Sequence, residues 1–174
     1  MTAGVDDTIG AAIFSPVLSI AKLRHFRAHF MVQFSPSCLG MSFCVGDLGD
    51  APIGHGFGGD GLRVLFNFNA QDLSIEYMGT AIWTAHHMFS FASIDVRARL
   101  EVAFDYTGLT VVLNGEQLVA SLELDDWVPE NSWRFGFGMA TKHPGDEING
   151  LSEISIALGV SEVPVTARLR LSGN

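Results

Sequence analysis

The chain has 174 residues, 48% of them apolar, with 13 phenylalanines and only 17% charged side chains; this describes a folded protein with a sizeable core and excludes a disordered chain. Its formal net charge of −9, with ten Lys and Arg scattered along the sequence, repels polyanions and argues against nucleic acid as a partner. No run of about eighteen apolar residues is present, and the opening MTAGVDDTIG lacks a basic start and an apolar stretch, so neither a membrane span nor a secretory leader is expected; the expected location is intracellular unless a leader was removed.

Taken in chain order, AAIFSPVLSI reads as two short strands around Pro16. RHFRAHFMVQF sets Phe26, Ala28, Phe30, Val32 and Phe34 against Arg27, His29 and Gln33, the period-two pattern of a half-buried antiparallel strand. Ile20, Leu23, Phe26 and Phe30 also stand at helical spacing, which leaves room for a short helix ahead of that strand. Strands follow at residues 62–67 and 73–77. DVRARLEVAF alternates Val96, Ala98, Leu100, Val102 and Phe104 with Asp95, Arg97, Arg99 and Glu101. LTVVLNGEQLVASL carries Asn114-Gly115 between two β-rich runs, the signature of a type I′ hairpin. Residues 133–139, 151–158 and 163–171 complete the set; the last either pairs with an early strand or continues into a longer chain. About ten strands with glycine-rich turns and no long helix predict an all-β antiparallel sandwich or barrel, expected to form one domain over residues 1–174.

The stretch GHGFGGDGLRVLFNF places Asp60 between Gly59 and Gly61 where a strand begins. Such a turn is either ordinary solvated punctuation or a site where the backbone approaches a ligand and a carboxylate accepts its hydroxyls. Five glycines there precede a strand rather than a helix, so a phosphate-cradling loop is not the reading. His86 and His87 are adjacent and on a strand would point to opposite faces; His25 and His29 share a face but lack a third ligand at zinc spacing. Cys38 and Cys44 read as idle thiols in a reducing compartment, or as a bridge in an oxidising one.

Three stretches in order resemble the concanavalin A-like lectin/glucanase superfamily of jelly-roll sandwiches. They are GGDGLRVLFNF, VRARLEVAFDYTGLTVVLNGEQLVASLEL and WRFGFGMATKHPGDEINGLSEISI; with AAIFSPVLSI the resemblance spans about residues 11–158. In legume-type lectins of that superfamily the aspartate of the Gly-Asp-Gly turn bonds sugar hydroxyls, and the loop after the aromatic-glycine strand shapes specificity. The resemblance therefore implies a carbohydrate site made by Gly59, Asp60, Gly61 and Asn69, with Thr141, Asp146 and Asn149 on a second wall at residues 139–150. Legume-type members also carry acidic calcium and transition-metal ligands on the strand after the turn. Here VLFNF offers Leu65 and Asn67 instead, so no metal cofactor is expected; the oxygens near in sequence are those of Asn67, Asn69 and Asp72, and Asp146, Glu147 and Asn149 in HPGDEING read either as a calcium loop or as an exposed acidic one.

ELDDW resembles the paired carboxylates of the superfamily's glucanases, with Glu123 and Asp125 on one face, but Trp127 stands where a further glutamate is needed and VPENS follows as a loop. Trp83, Trp127 and Trp133 serve either as sugar platforms or as core. The expectation is a non-enzymatic, lectin-like domain binding glycan through its rim loops. The alternative is a structural or protein–protein interaction subunit of a larger assembly, on a sandwich that has lost sugar and metal binding.

Overall fold

The structure, a computed structural model, describes residues 9–19, 23–34, 38–48, 52–53, 56–57, 60–68, 70–88, 96–124, 127–141, 150–160 and 163–168. Among these the elements are β1 (Ile9–Phe14), β2 (His25–Phe34), β3 (Cys38–Gly46), β4 (Pro52–Ile53), β5 (Gly56–Phe57), β6 (Gly61–Asn67), β7 (Asp72–Tyr77), β8 (Thr80–Ala85), β9 (Val96–Asp105), β10 (Gly108–Leu113), β11 (Glu116–Leu122), β12 (Arg134–Thr141), β13 (Gly150–Val160) and β14 (Val163–Arg168). One six-stranded sheet, A, runs β1-β12-β3-β6-β7-β8, and a second, B, runs β11-β10-β9-β2-β13-β14; every pairing is antiparallel.

Side-chain alternation decides how the sheets stack. Phe26, Ala28, Phe30 and Val32 of β2 turn inward and are buried, as do Ala98, Leu100, Val102 and Phe104 of β9. From sheet A they meet Met41, Phe43 and Val45 of β3, Leu62, Val64 and Phe66 of β6, and Phe135 and Phe137 of β12. Aromatic edges lock the interface: Phe30 meets Phe137 at 4.5 Å in a T-shaped contact and Phe26 meets Phe135 at 5.2 Å. Burying these side chains supplies the main driving force for the two-layer fold. The Asn114-Gly115 hairpin forms as the sequence predicts, both residues at positive φ (52° and 86°), and Asn114 Oδ1 accepts the Arg99 N–H at 2.8 Å to tie the turn to β9.

Four local expectations change. The segment around Pro16 gives one strand, β1, after which Pro16 and Val17 are exposed coil, because proline has no N–H for a second ladder. Leu23 is helical and fully buried, but strand geometry takes over at His25. β3 and β8 are strands that alternation does not announce. β14 pairs with β13 rather than with an early strand, while β13 itself pairs with β2.

The short β4–β5 hairpin packs against β1, β3 and β12. Beneath it the FGFG run of β12 sends both phenylalanines inward and presents Gly136 and Gly138 outward, opposite Cys44 and Ser42 of β3. Ser42 and Cys44 have no exposure, and among the described residues the hairpin packs over this half of sheet A. Cys44 is buried and forms no disulfide. Cys38 lies six residues away on the same strand, about 20 Å at strand rise, which is out of disulfide reach.

Candidate functional site

The Asp60 turn is shaped by its neighbouring strand. Gly61 (φ 134°) pairs with Gly46, and a Cβ on Gly61 would overlap the Val45 carbonyl oxygen. A Cβ on Gly46 would overlap the Asp60 carbonyl oxygen, which accepts the Asp47 N–H at 2.9 Å. The glycine at 61 is therefore required by close strand approach, a demand internal to the fold. Asp60 itself is exposed at this end of the sandwich.

The register separates the residues that the resemblance grouped. Arg134, Gly46 and Gly61 line up at one end of sheet A, while Thr141 pairs with Cys38 at the other. Seven residues of β12 separate the two ends, about 23 Å at strand rise. Asp60 and Thr141 therefore do not share a pocket, contrary to the joint site expected from the sequence. Gly59, Asn69, Asp146, Glu147 and Asn149 lie outside the described residues.

What the strands bring together is the outer face of β6 and β7. With Leu62, Val64, Phe66, Leu73 and Ile75 committed to the core, period-two geometry sends Arg63, Leu65, Asn67, Asp72, Ser74 and Glu76 outward, a polar face with one leucine opposite Ser74. Arg63 Nη1 donates to Glu76 Oε2 at 3.3 Å across the strands, the two side chains being 18% and 26% exposed. His86 Nδ1 lies 3.0 Å from Asp72 Oδ2, and Ser74 pairs with Thr84 of β8. Asn67 Oδ1 accepts the Ala70 N–H at 3.2 Å, keeping the amide NH2 as a donor. Along β7 the polar groups Asp72, Ser74 and Glu76 repeat at about 6.8 Å, and β6 lies about 4.8 Å away with Arg63 and Asn67 on either side of Leu65.

The other candidates resolve individually. Trp133 is fully buried, and Trp83 packs against the core. Trp127 is half-buried, its Nε1 donating to the Leu23 carbonyl at 3.2 Å. Glu123 lies one residue past β11 and is exposed, and Asp125 is outside the described residues. His25 and His29 share the outward face of β2; among the described residues no three His, Cys, Asp or Glu gather as a metal-binding group. No helix among the described residues is long and apolar enough to cross a membrane. The sequence contained the signal for the β6–β7 face, in the polar positions alternating with the apolar ones, but those positions read equally as a solvated surface.

No family model matches the sequence, and no curated protein matches it either. Solved structures match in shape. The potassium-bound carbohydrate recognition domain of Emp46p is similar over 86% of this chain and 75% of its own, at 14% identity and a TM-score of 0.55. A tetrameric galectin from the ball sponge Cinachyrella sp. is similar over 85% of this chain and 99% of its own, at 16% identity and a TM-score of 0.55. A family 7 alginate lyase is similar over 91% of this chain and 75% of its own, at 9% identity and a TM-score of 0.52. The likeness is one of fold: the chain is an antiparallel jelly-roll β-sandwich, as its sequence predicts. That fold carries a carbohydrate recognition domain in one neighbour and a lyase in another.

Proposed function

We propose that this chain is a non-enzymatic glycan-binding module whose sugar lies across the outer face of β6 and β7. The observation that carries the reading is the Arg63–Glu76 pair, held less than one-third exposed on the outward side of a sheet among Ser74, Asn67 and Asp72. A pair of this kind stabilises a fold by at most about 1 kcal/mol, so stability alone is a weak reason for it. A preorganised carboxylate and guanidinium beside hydroxyl and amide groups supplies the donors and acceptors that sugar hydroxyls need. The fold neighbours named for carbohydrate recognition and galectin activity lend the reading support. It assigns no catalysis: glycoside hydrolysis needs two carboxyl groups facing across the scissile bond, and Glu76 faces its own cation.

A glycan array probed with the folded chain tests this. Wild type is expected to bind a subset of glycans, equally in calcium and in chelator. Glu76→Gln and Ser74→Ala each weaken capture by about tenfold, the loss of one charge-assisted or one neutral hydrogen bond. Silence of a well-folded sample across the array refutes the reading.

One observation favours a second reading, a protein-docking module. β8 is an edge strand of sheet A without a charged residue, and its Ile82 is 40% exposed. Such an edge accepts an extended segment of a partner. A silent array together with a partner whose capture Ile82→Pro abolishes would select this reading.

A further inference from the structure

At the end of the sandwich where β9 turns into β10, a cleft of about 590 Å³ lies between the start of β2, that turn and the segment after β11. Its size falls within the usual range for small-molecule sites. The apolar floor is rigid: Phe104 and Trp127 lie 4.8 Å apart, and Trp127 is further fixed by its bond to Leu23 and its contact with Trp133 at 5.4 Å.

The charged groups around this floor are of both signs. Arg24 supplies the positive charge on the β2 side, beside the ring N–H of His25, and Asp105 and Glu123 supply the negative charge in the lining. No ion pair within 4 Å joins any of them among the described residues, whereas Arg27, on the same strand as His25, finds Glu101 at 3.3 Å. Asp105 uses only Oδ1 internally, accepting the Thr107 N–H at 2.8 Å and the Thr107 hydroxyl at 2.6 Å. Those two bonds hold its carboxyl below the usual aspartate range, so a charged Oδ2 remains for a ligand. Tyr106, at the tip of the turn, is 89% exposed.

Arg24 forms no ion pair within 4 Å with Asp105 or Glu123 among the described residues, and the nearby His25 acts on Asp105 only at longer range, so the cleft presents complementary potentials to a molecule bearing both charges. We propose that this cleft binds a small zwitterion of the α-amino-acid class, its carboxylate on Arg24 and His25, its ammonium on Asp105 and Glu123, and its apolar side chain against Phe104 and Trp127. The ligand is neutral overall, which suits a chain of net charge −9 better than an anion does. The site is independent of the glycan reading, since it uses none of the β6–β7 residues.

Calorimetry on the full chain with three probes of one body tests the proposal: phenylalanine, phenylalaninamide and N-acetylphenylalanine. Phenylalanine is expected to bind, and each capped probe to bind about tenfold more weakly, the loss of one charge-assisted contact. Arg24→Gln should erase the preference over the amide, and Glu123→Gln the preference over the acetyl form. Both residues are exposed, so the variants are expected to melt with wild type. Glu76→Gln should leave all three affinities unchanged. Equal binding of the three probes, no binding of phenylalanine by the folded protein, or preferences that survive both substitutions would overturn the assignment.

Discussion

Replacing Gly61 with alanine separates two reasons for placing glycine beside Asp60. If the glycine serves the fold, its loss is a stability event. Gly61 has φ 134°, and an added Cβ would stand 2.5 Å from Gly46 Cα and overlap the Val45 carbonyl oxygen. Both obstacles are backbone atoms of β3, which cannot move without breaking the β3–β6 ladder. The unfavourable φ costs about 1–3 kcal/mol. Overpacking adds about 1–3 kcal/mol, and the stiffer unfolded chain returns about 0.4–1 kcal/mol. The net is a loss of about 3 kcal/mol, or a fall in Tm of about 6–12 °C for a protein of this size. Thermal melts followed by circular dichroism, with urea titrations for the free energy, measure it. Asp60→Ala, at an exposed position, is the matched control and should stay within about 0.5 kcal/mol. A Gly61→Ala protein melting within about 2 °C of wild type would refute the close-approach argument.

Two other substitutions probe different parts of the structure. Ser42 Oγ is fully buried and has no hydrogen-bond partner among the described residues, so Ser42→Ala should leave Tm unchanged or raise it; a loss of more than about 1 kcal/mol would mean that the hydroxyl is satisfied after all. Asp105 has a lowered pKa in the folded state because Thr107 donates to it through its hydroxyl and its backbone N–H. The stabilisation this brings is present above the ordinary aspartate value of 3.8 and is lost as pH falls through the lowered folded value. Thr107→Val should thus be less stable than wild type at neutral pH and converge with it in acid; a constant gap across that range would remove the linkage.

The two-layer fold was legible because most strands bury one face, and β2 and β9 announce themselves through strict alternation. β3 was not, since residues 40–46 are buried on both faces and CLGMSFCVG has no polar side to mark its period. β8 escaped for the opposite reason: Thr80, Ala81, Ile82 and Thr84 are all exposed, and a bulge opposite Ile75 and Glu76 breaks the pattern. The turn at Asp60 was visible as a turn, but its glycine answers to Gly46, which only the β3–β6 register places beside it. That same register, carried through β12, shows that Asp60 and Thr141 belong to different ends. The cleft near Asp105 joins residues from three separate segments, and no local motif could have grouped them.

Sugar binding on β6 and β7 is open to a direct test. Amide shifts in a 15N-labelled sample, titrated with a glycan captured on the array, test it most directly. Perturbations are expected to concentrate at Arg63, Leu65, Ser74 and Glu76 and to fade toward β3 and β12. Shifts confined to the Asp60 turn, to residues 139–150 or to the Asp105 cleft would contradict it.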